Sequence, residues 1–112
     1  MTGMGAFTGE HSCEQIKDAG IEWVVIGHSE RRSLYGETDE VCAKKLARAL
    51  ECGLKVIYCI GEKLPERESG KTNDVCAEQM GAVPLPLCFQ YWFASLRSQR
   101  RFNGVILSDS LC

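Results

Sequence analysis

The densest concentration of reactive side chains is one hexapeptide, Gly27-His28-Ser29-Glu30-Arg31-Arg32, directly after the apolar run Trp23-Val24-Val25-Ile26. It places an imidazole, a carboxylate and two guanidiniums where a buried strand ends. In parallel α/β folds, reactive groups gather at the carboxyl ends of strands. If a helical turn starts at Ser29, His28 faces a positive helix end, which favours the neutral ring. A neutral imidazole can donate an N–H to a substrate carbonyl. The competing reading is a structural histidine bonded to a loop neighbour. Glu30 reads first as an ion-pair partner of Arg31, Arg32 or a lysine, and second as a proton-transfer group. The Arg31-Arg32 pair suits a phosphate or a salt bridge equally. Gly3-Met4-Gly5 lacks the following helix of a dinucleotide fingerprint. His11 precedes a helix cap and reads as a surface residue.

The elements that hold this segment alternate between helix and strand. Ser12 with Gln15 forms a capping box, and Gly20 stops the short helix that follows, about 13–19. Residues 21–27 form a strand apolar on both faces. Thr38 caps a second helix with Asp39 and Glu40 in its first turn. Cys42, Leu46, Ala49 and Leu50 recur on one helix face until Gly53. Residues 54–60 form a second all-apolar strand apart from Lys55. Pro65 opens a single helical turn. Thr72 caps a third helix bearing Val75, Cys76 and Met80. Gly20 to Gly27 is echoed by Gly53 to Gly61, a spacing close to the roughly 31 residues of one βα unit in an eight-fold barrel. Doubly wound sheets use units of similar size, so periodicity leaves both folds open.

At 112 residues the chain is one small domain or a piece of a larger one, and its 45% apolar and 25% charged residues are ordinary globular values. A net charge of −2 removes the electrostatic reason to expect nucleic acid or an anionic membrane as partner. No apolar run is long enough to span a bilayer, and the amino terminus lacks the pattern of a secretory signal. Seven cysteines without a C-x-x-C spacing disfavour zinc and thioredoxin-like sites. They read as reduced, buried small hydrophobes of a cytoplasmic protein. The charge is uneven. Residues 1–82 carry ten basic and fourteen acidic side chains, whereas residues 83–112 carry three Arg and one Asp. The latter stretch has no Lys or Glu, so a boundary is expected near Gly81.

Three segments in order, Gly5-Ala6-Phe7-Thr8-Gly9-Glu10, Trp23 through Ser33, and Leu54 through Glu62, closely resemble the triosephosphate isomerase family. The resemblance runs from residue 5 to about 81. It implies an α/β fold, part of a (β/α)8 TIM barrel of about 250 residues, here about two βα units with parallel strands 21–27 and 54–60. It also implies a homodimeric enzyme of glycolysis and gluconeogenesis. That enzyme interconverts dihydroxyacetone phosphate and glyceraldehyde 3-phosphate through an enediolate, with no cofactor or metal. By motif match, His28 is the electrophile, Glu30 a supporting glutamate, and Ser29 the serine that contacts the base in the open state. Cys59 is the cysteine packed beside the catalytic glutamate. Thr8 lies in the loop that enters the partner subunit, and Glu10 and Arg31 match an ion pair across that interface.

The departures from the family are equally specific. The chain starts after the third strand, so the Asn-x-Lys motif with the substrate lysine is missing. The segment bearing the general base, the closing lid and the later glycine-rich phosphate loops are missing too. The expected organisation is a partial barrel over 1–82 and a non-matching, poorly ordered tail over 83–112, joined by a splice or frame error. The chain alone is expected to be inactive. Alternatives are a non-catalytic product that binds a full-length subunit, or a gene-model artefact. Each strand is expected to keep one unpaired edge, against which Phe89, Trp92, Phe93 and Val105-Ile106-Leu107 collapse without register.

Overall fold

The structure is a computed structural model that describes residues 3–83 and the backbone strand 105–109. Its elements are α1 (Cys13–Asp18), β1 (Trp23–Ile26), α2 (Ser29–Leu34), α3 (Asp39–Glu51), β2 (Lys55–Ile60), α4 (Leu64–Glu68), α5 (Thr72–Gly81) and β3 (Val105–Asp109). The strands form one parallel sheet in the order β1-β2-β3. Trp23 pairs with Lys55 and Ile26 with Tyr58, so the two echoed segments lie side by side. This is the expected pair of βα units.

Local chemistry sets the element ends. The Ser12 hydroxyl accepts from the Gln15 N–H at 3.2 Å, and the Gln15 side chain accepts from the Ser12 N–H at 2.9 Å. The Thr38 hydroxyl accepts from the Val41 N–H and starts α3. Gly53, with φ of 75°, follows α3 and turns the chain into β2. Thr72 differs from expectation. It is the first residue of α5, after Lys71 at the cap, and its hydroxyl is drawn away to donate to Glu62 Oε1 at 3.0 Å.

The core lies between α3 and one face of the sheet. Cys42, Leu46 and Ala49 of α3 meet Val56, Tyr58 and Ile60 of β2, with Ile26, Leu54 and Val83 closing the cluster. The i, i+4, i+7 spacing on α3 and the period of two on β2 point these residues at one another. Tyr58 is fully buried. Burial pushes its phenol up to about 12, although nearby Arg32 favours the phenolate.

Three expectations need correction. The first strand is shorter than 21–27, and Ile21 is 50% exposed beyond its start. Nor is that strand apolar-covered on both faces: Val25 is 54% exposed, because no described element covers its side of the sheet edge. Finally, β2 keeps no free edge, and the segment 83–112 does contain a strand in register. Val105 to Asp109 pairs parallel with Val56 to Ile60. Phe89, Trp92 and Phe93 lie outside the described residues.

Candidate functional site

β1 ends at Ile26, and the chain reverses at Gly27 with φ of 82°. A Cβ there would stand 2.7 Å from the Cys59 carbonyl oxygen of β2. Only glycine accepts both that conformation and that approach. The turn makes His28 the N-cap of α2, and its Nδ1 accepts the Glu30 backbone N–H at 3.3 Å. With Nδ1 accepting, the proton of a neutral ring sits on Nε2, which is then a donor.

Glu30 departs from the ion-pair reading alone. Its carboxylate does not pair with either arginine; Oε2 stands 3.9 Å from His28 Nδ1, and the side chain is 73% exposed. The arginines are engaged elsewhere. Arg32 donates from Nε to the Gly27 carbonyl at 2.7 Å and pairs with Asp39, which locks α2 against the β1 turn. Arg31 donates to Glu37 Oε1 at 2.6 Å and lies 4.7 Å over the Tyr35 ring. Both guanidiniums therefore act as structural ties within the chain. Ser29 starts α2 beside His28, and Cys59 is buried in β2 across from Gly27.

The second strand ends in Gly61-Glu62, whose surroundings were not legible in the sequence. Gln79 of α5 clamps Gly61 in both directions: Oε1 accepts the Gly61 N–H at 2.8 Å, and Nε2 donates to the Gly61 carbonyl at 3.0 Å. The Glu62 side chain is 6% exposed and accepts from Arg67 at 2.6 Å. That hydrogen bond, helped by Thr72, holds its carboxyl below the usual range. A groove of about 640 Å³ runs between these strand ends, lined by Ser29, Glu30, Arg32, Glu62 and Gln79 among others.

Thr8 and Glu10 lie apart from the strand-end group, and Arg31 of α2 reaches toward them. Thr8 and Gly9 form an exposed turn closed by the Glu10 N–H to the Phe7 carbonyl at 3.0 Å. Within the chain, Arg31 Nη2 already lies 4.0 Å from Glu10. The centre of this cluster is Glu37, whose side chain is 7% exposed between Arg31 and Lys45. Burial alone would raise its carboxyl. Hydrogen bonds from Lys45 and Arg31 outweigh burial and hold it low. No local spacing rule marks Glu37, because its partners come from α2 and α3. Among the described residues, no group of His, Cys, Asp or Glu is arranged to hold a metal ion. No helix there is long and apolar enough to cross a membrane.

The sequence model of triosephosphate isomerase matches residues 1–88, somewhat beyond the stretch over which the motifs are recognisable by eye. The triosephosphate isomerase of Taenia solium is 62% identical over 81 residues, 72% of this chain and 32% of the relative. That of Coprinopsis cinerea is 59% identical over 88 residues, 79% of this chain and 35% of the relative. The chloroplastic triosephosphate isomerase of Fragaria ananassa is 64% identical over 78 residues, 70% of this chain and 25% of the relative. The chain thus spans between a quarter and about a third of the length of these relatives.

Proposed function

We propose a function from one premise: the chain belongs to the triosephosphate isomerase family. It carries the electrophilic part of an aldose–ketose isomerase site that acts on a triose phosphate in glycolysis and gluconeogenesis. His28 is the catalytic group. Its Nε2–H polarises the substrate carbonyl, stabilises the enediolate oxygen, and passes a proton between the two substrate oxygens. The observation that carries this reading is the Glu30 N–H on His28 Nδ1. Glu30 acts as a positioning residue through its backbone. Ser29 and Cys59 support the turn and the strand end.

The carbon-bound proton must go to a base, and the phosphate to a lysine and to amide donors. The motif residues of this chain supply neither role, so the chain alone is proposed to be inactive. Residues 1–82 are the barrel piece in this reading, and 83–112 are a distinct segment with its own charge balance. The test pairs two assays. A coupled isomerase assay on the purified chain is expected to read at the buffer level. A graft of residues 5–81 into the Taenia solium relative, replacing the corresponding segment, is expected to turn over. Turnover by the chain alone that His28→Gln abolishes would overturn the proposed inactivity, and a folded but inert graft the proposed role.

The Thr8 turn favours a second reading, in which the chain docks on a full-length subunit as in the family homodimer. Met4 and Phe7 beside the turn are 74% and 54% exposed, an apolar surface suited to burial by a partner. Co-expression of a tagged chain with the full-length relative tests this. Capture lost on deleting the Thr8-Gly9 turn supports docking; unchanged capture contradicts it. Cytoplasmic residence belongs to the same proposal. Two relatives at 64% identity are named chloroplastic, and imaging of a tagged chain decides between the compartments.

A further inference from the structure

Of the five described cysteines, Cys42 and Cys59 are buried, whereas Cys13, Cys52 and Cys76 are partly exposed. Cys13 opens α1, and Cys52 caps the end of α3. Burial, and after it the nearby Cys52 side chain, raise the pKa of the Cys13 thiol. Three ties hold the same two segments together. Lys17 Nζ donates to the Cys52 carbonyl at 2.8 Å, the Cys52 thiol approaches Glu14 Oε1 at 3.8 Å, and Arg48 pairs with Glu14. The thiols are therefore neighbours in space although far apart in sequence, and reagents reach both.

We propose that Cys13 and Cys52 form an oxidisable pair, a modification site at which a disulfide staples α1 to the end of α3. Cys52 is assigned as the attacking sulfur because its thiol and the Arg48 guanidinium meet at the same Glu14 Oε1, which sets a cation beside it. The interaction shows from the other side, since Cys52 leads the causes that raise the Arg48 pKa. Glu14 itself is paired with Arg48. Cys13 is the resolving thiol, pushed up chiefly by burial and then by Cys52.

The chemistry needs a low-molecular-weight disulfide as oxidant. The Cys52 thiolate attacks one of its sulfurs, forms a mixed disulfide, and expels the other half, which takes up the proton Cys52 lost. Cys13 then gives up its proton, attacks the Cys52 sulfur, and expels the second half as a thiol. Two protein thiols lose two electrons, and one external disulfide becomes two thiols. Closing a loop of about forty residues restricts the unfolded chain, so the staple stabilises the fold.

The test uses the full chain and oxidised glutathione, in native buffer and in concentrated guanidinium chloride. Trypsin separates the pair onto peptides 1–17 and 49–55, each with a single cysteine. The expected native product is a linkage between these peptides, about tenfold or more enriched over the denatured control, as proximity predicts. Its formation raises the thermal midpoint, and reductant reverses the rise. Cys13→Ser leaves glutathione on Cys52, and Cys52→Ser leaves Cys13 largely unmodified. A linkage no more abundant than in the denatured chain, a dominant bridge to any other cysteine, or persistent mixed disulfides in the unsubstituted chain would overturn the proposal. Cys13 glutathionylated in the Cys52→Ser variant, with Cys52 untouched in Cys13→Ser, would overturn the assignment of the attacking sulfur.

Discussion

His28 Nδ1 accepts the backbone N–H of Glu30 at 3.3 Å, a link between neighbours that fixes which ring nitrogen can donate. The prediction is a tautomer. In the graft of residues 5–81, the nitrogen-15 shifts of the neutral imidazole should show Nδ1 without a proton and Nε2 with one. A neutral ring protonated on Nδ1 contradicts the placement of His28 at the cap of α2.

Gly27 should tolerate no side chain. Its φ of 82° is strained for any other residue, and a Cβ would press on the Cys59 carbonyl and the Arg32 guanidinium. Gly27→Ala in the graft should lose about 1–3 kcal/mol from the backbone conformation alone, with more from the contact. Urea unfolding at fixed protomer concentration measures it. A loss below the scale of a surface substitution would contradict the turn.

Acid should loosen the Glu37 cluster. Hydrogen bonds from Lys45 and Arg31 hold the Glu37 pKa below its unfolded value, against burial. A depressed carboxyl contributes stability that is present above its unfolded pKa of about 4.3 and is lost as pH falls through the folded value. Comparing the graft with its Glu37→Gln variant, the stability gap should be widest at neutral pH and shrink below that unfolded value. A gap independent of pH contradicts the ion-pair account.

Gln79 should matter beyond its size. Both its side-chain bonds go to Gly61, at the strand end that leads into the groove. Gln79→Leu removes both bonds to the partly buried Gly61 amide and carbonyl, at a cost of about 1–3 kcal/mol for two hydrogen bonds. Denaturant unfolding reads the loss, and a neutral substitution would contradict the clamp.

What the sequence disclosed was local. The Ser12–Gln15 box, the Thr38 cap and the α3 stripe through Cys42, Leu46 and Ala49 follow from spacing within a turn or two. The strand echo gave the parallel pairing, and the position of His28 gave its place at a strand end. Distant partners could not be read this way. Glu37 meets Arg31 and Lys45, Gln79 meets Gly61, and Cys13 meets Cys52 only once the helices dock. Thr72 was legible as a capping type, but Glu62 claims its hydroxyl. The pairing of β3 with β2 depended on a long connection, where no periodic pattern specifies register.

The central claim is that His28 is the electrophile, and one comparison tests it most directly: kcat and KM of the graft with and without His28→Gln. Glutamine keeps a donor of similar reach but cannot shuttle a proton between the substrate oxygens. The account predicts that kcat falls about 10²-fold or more, within the range for one acid–base group, while KM changes far less. A glutamine variant with undiminished kcat would remove His28 from the chemistry and leave it a structural cap of α2.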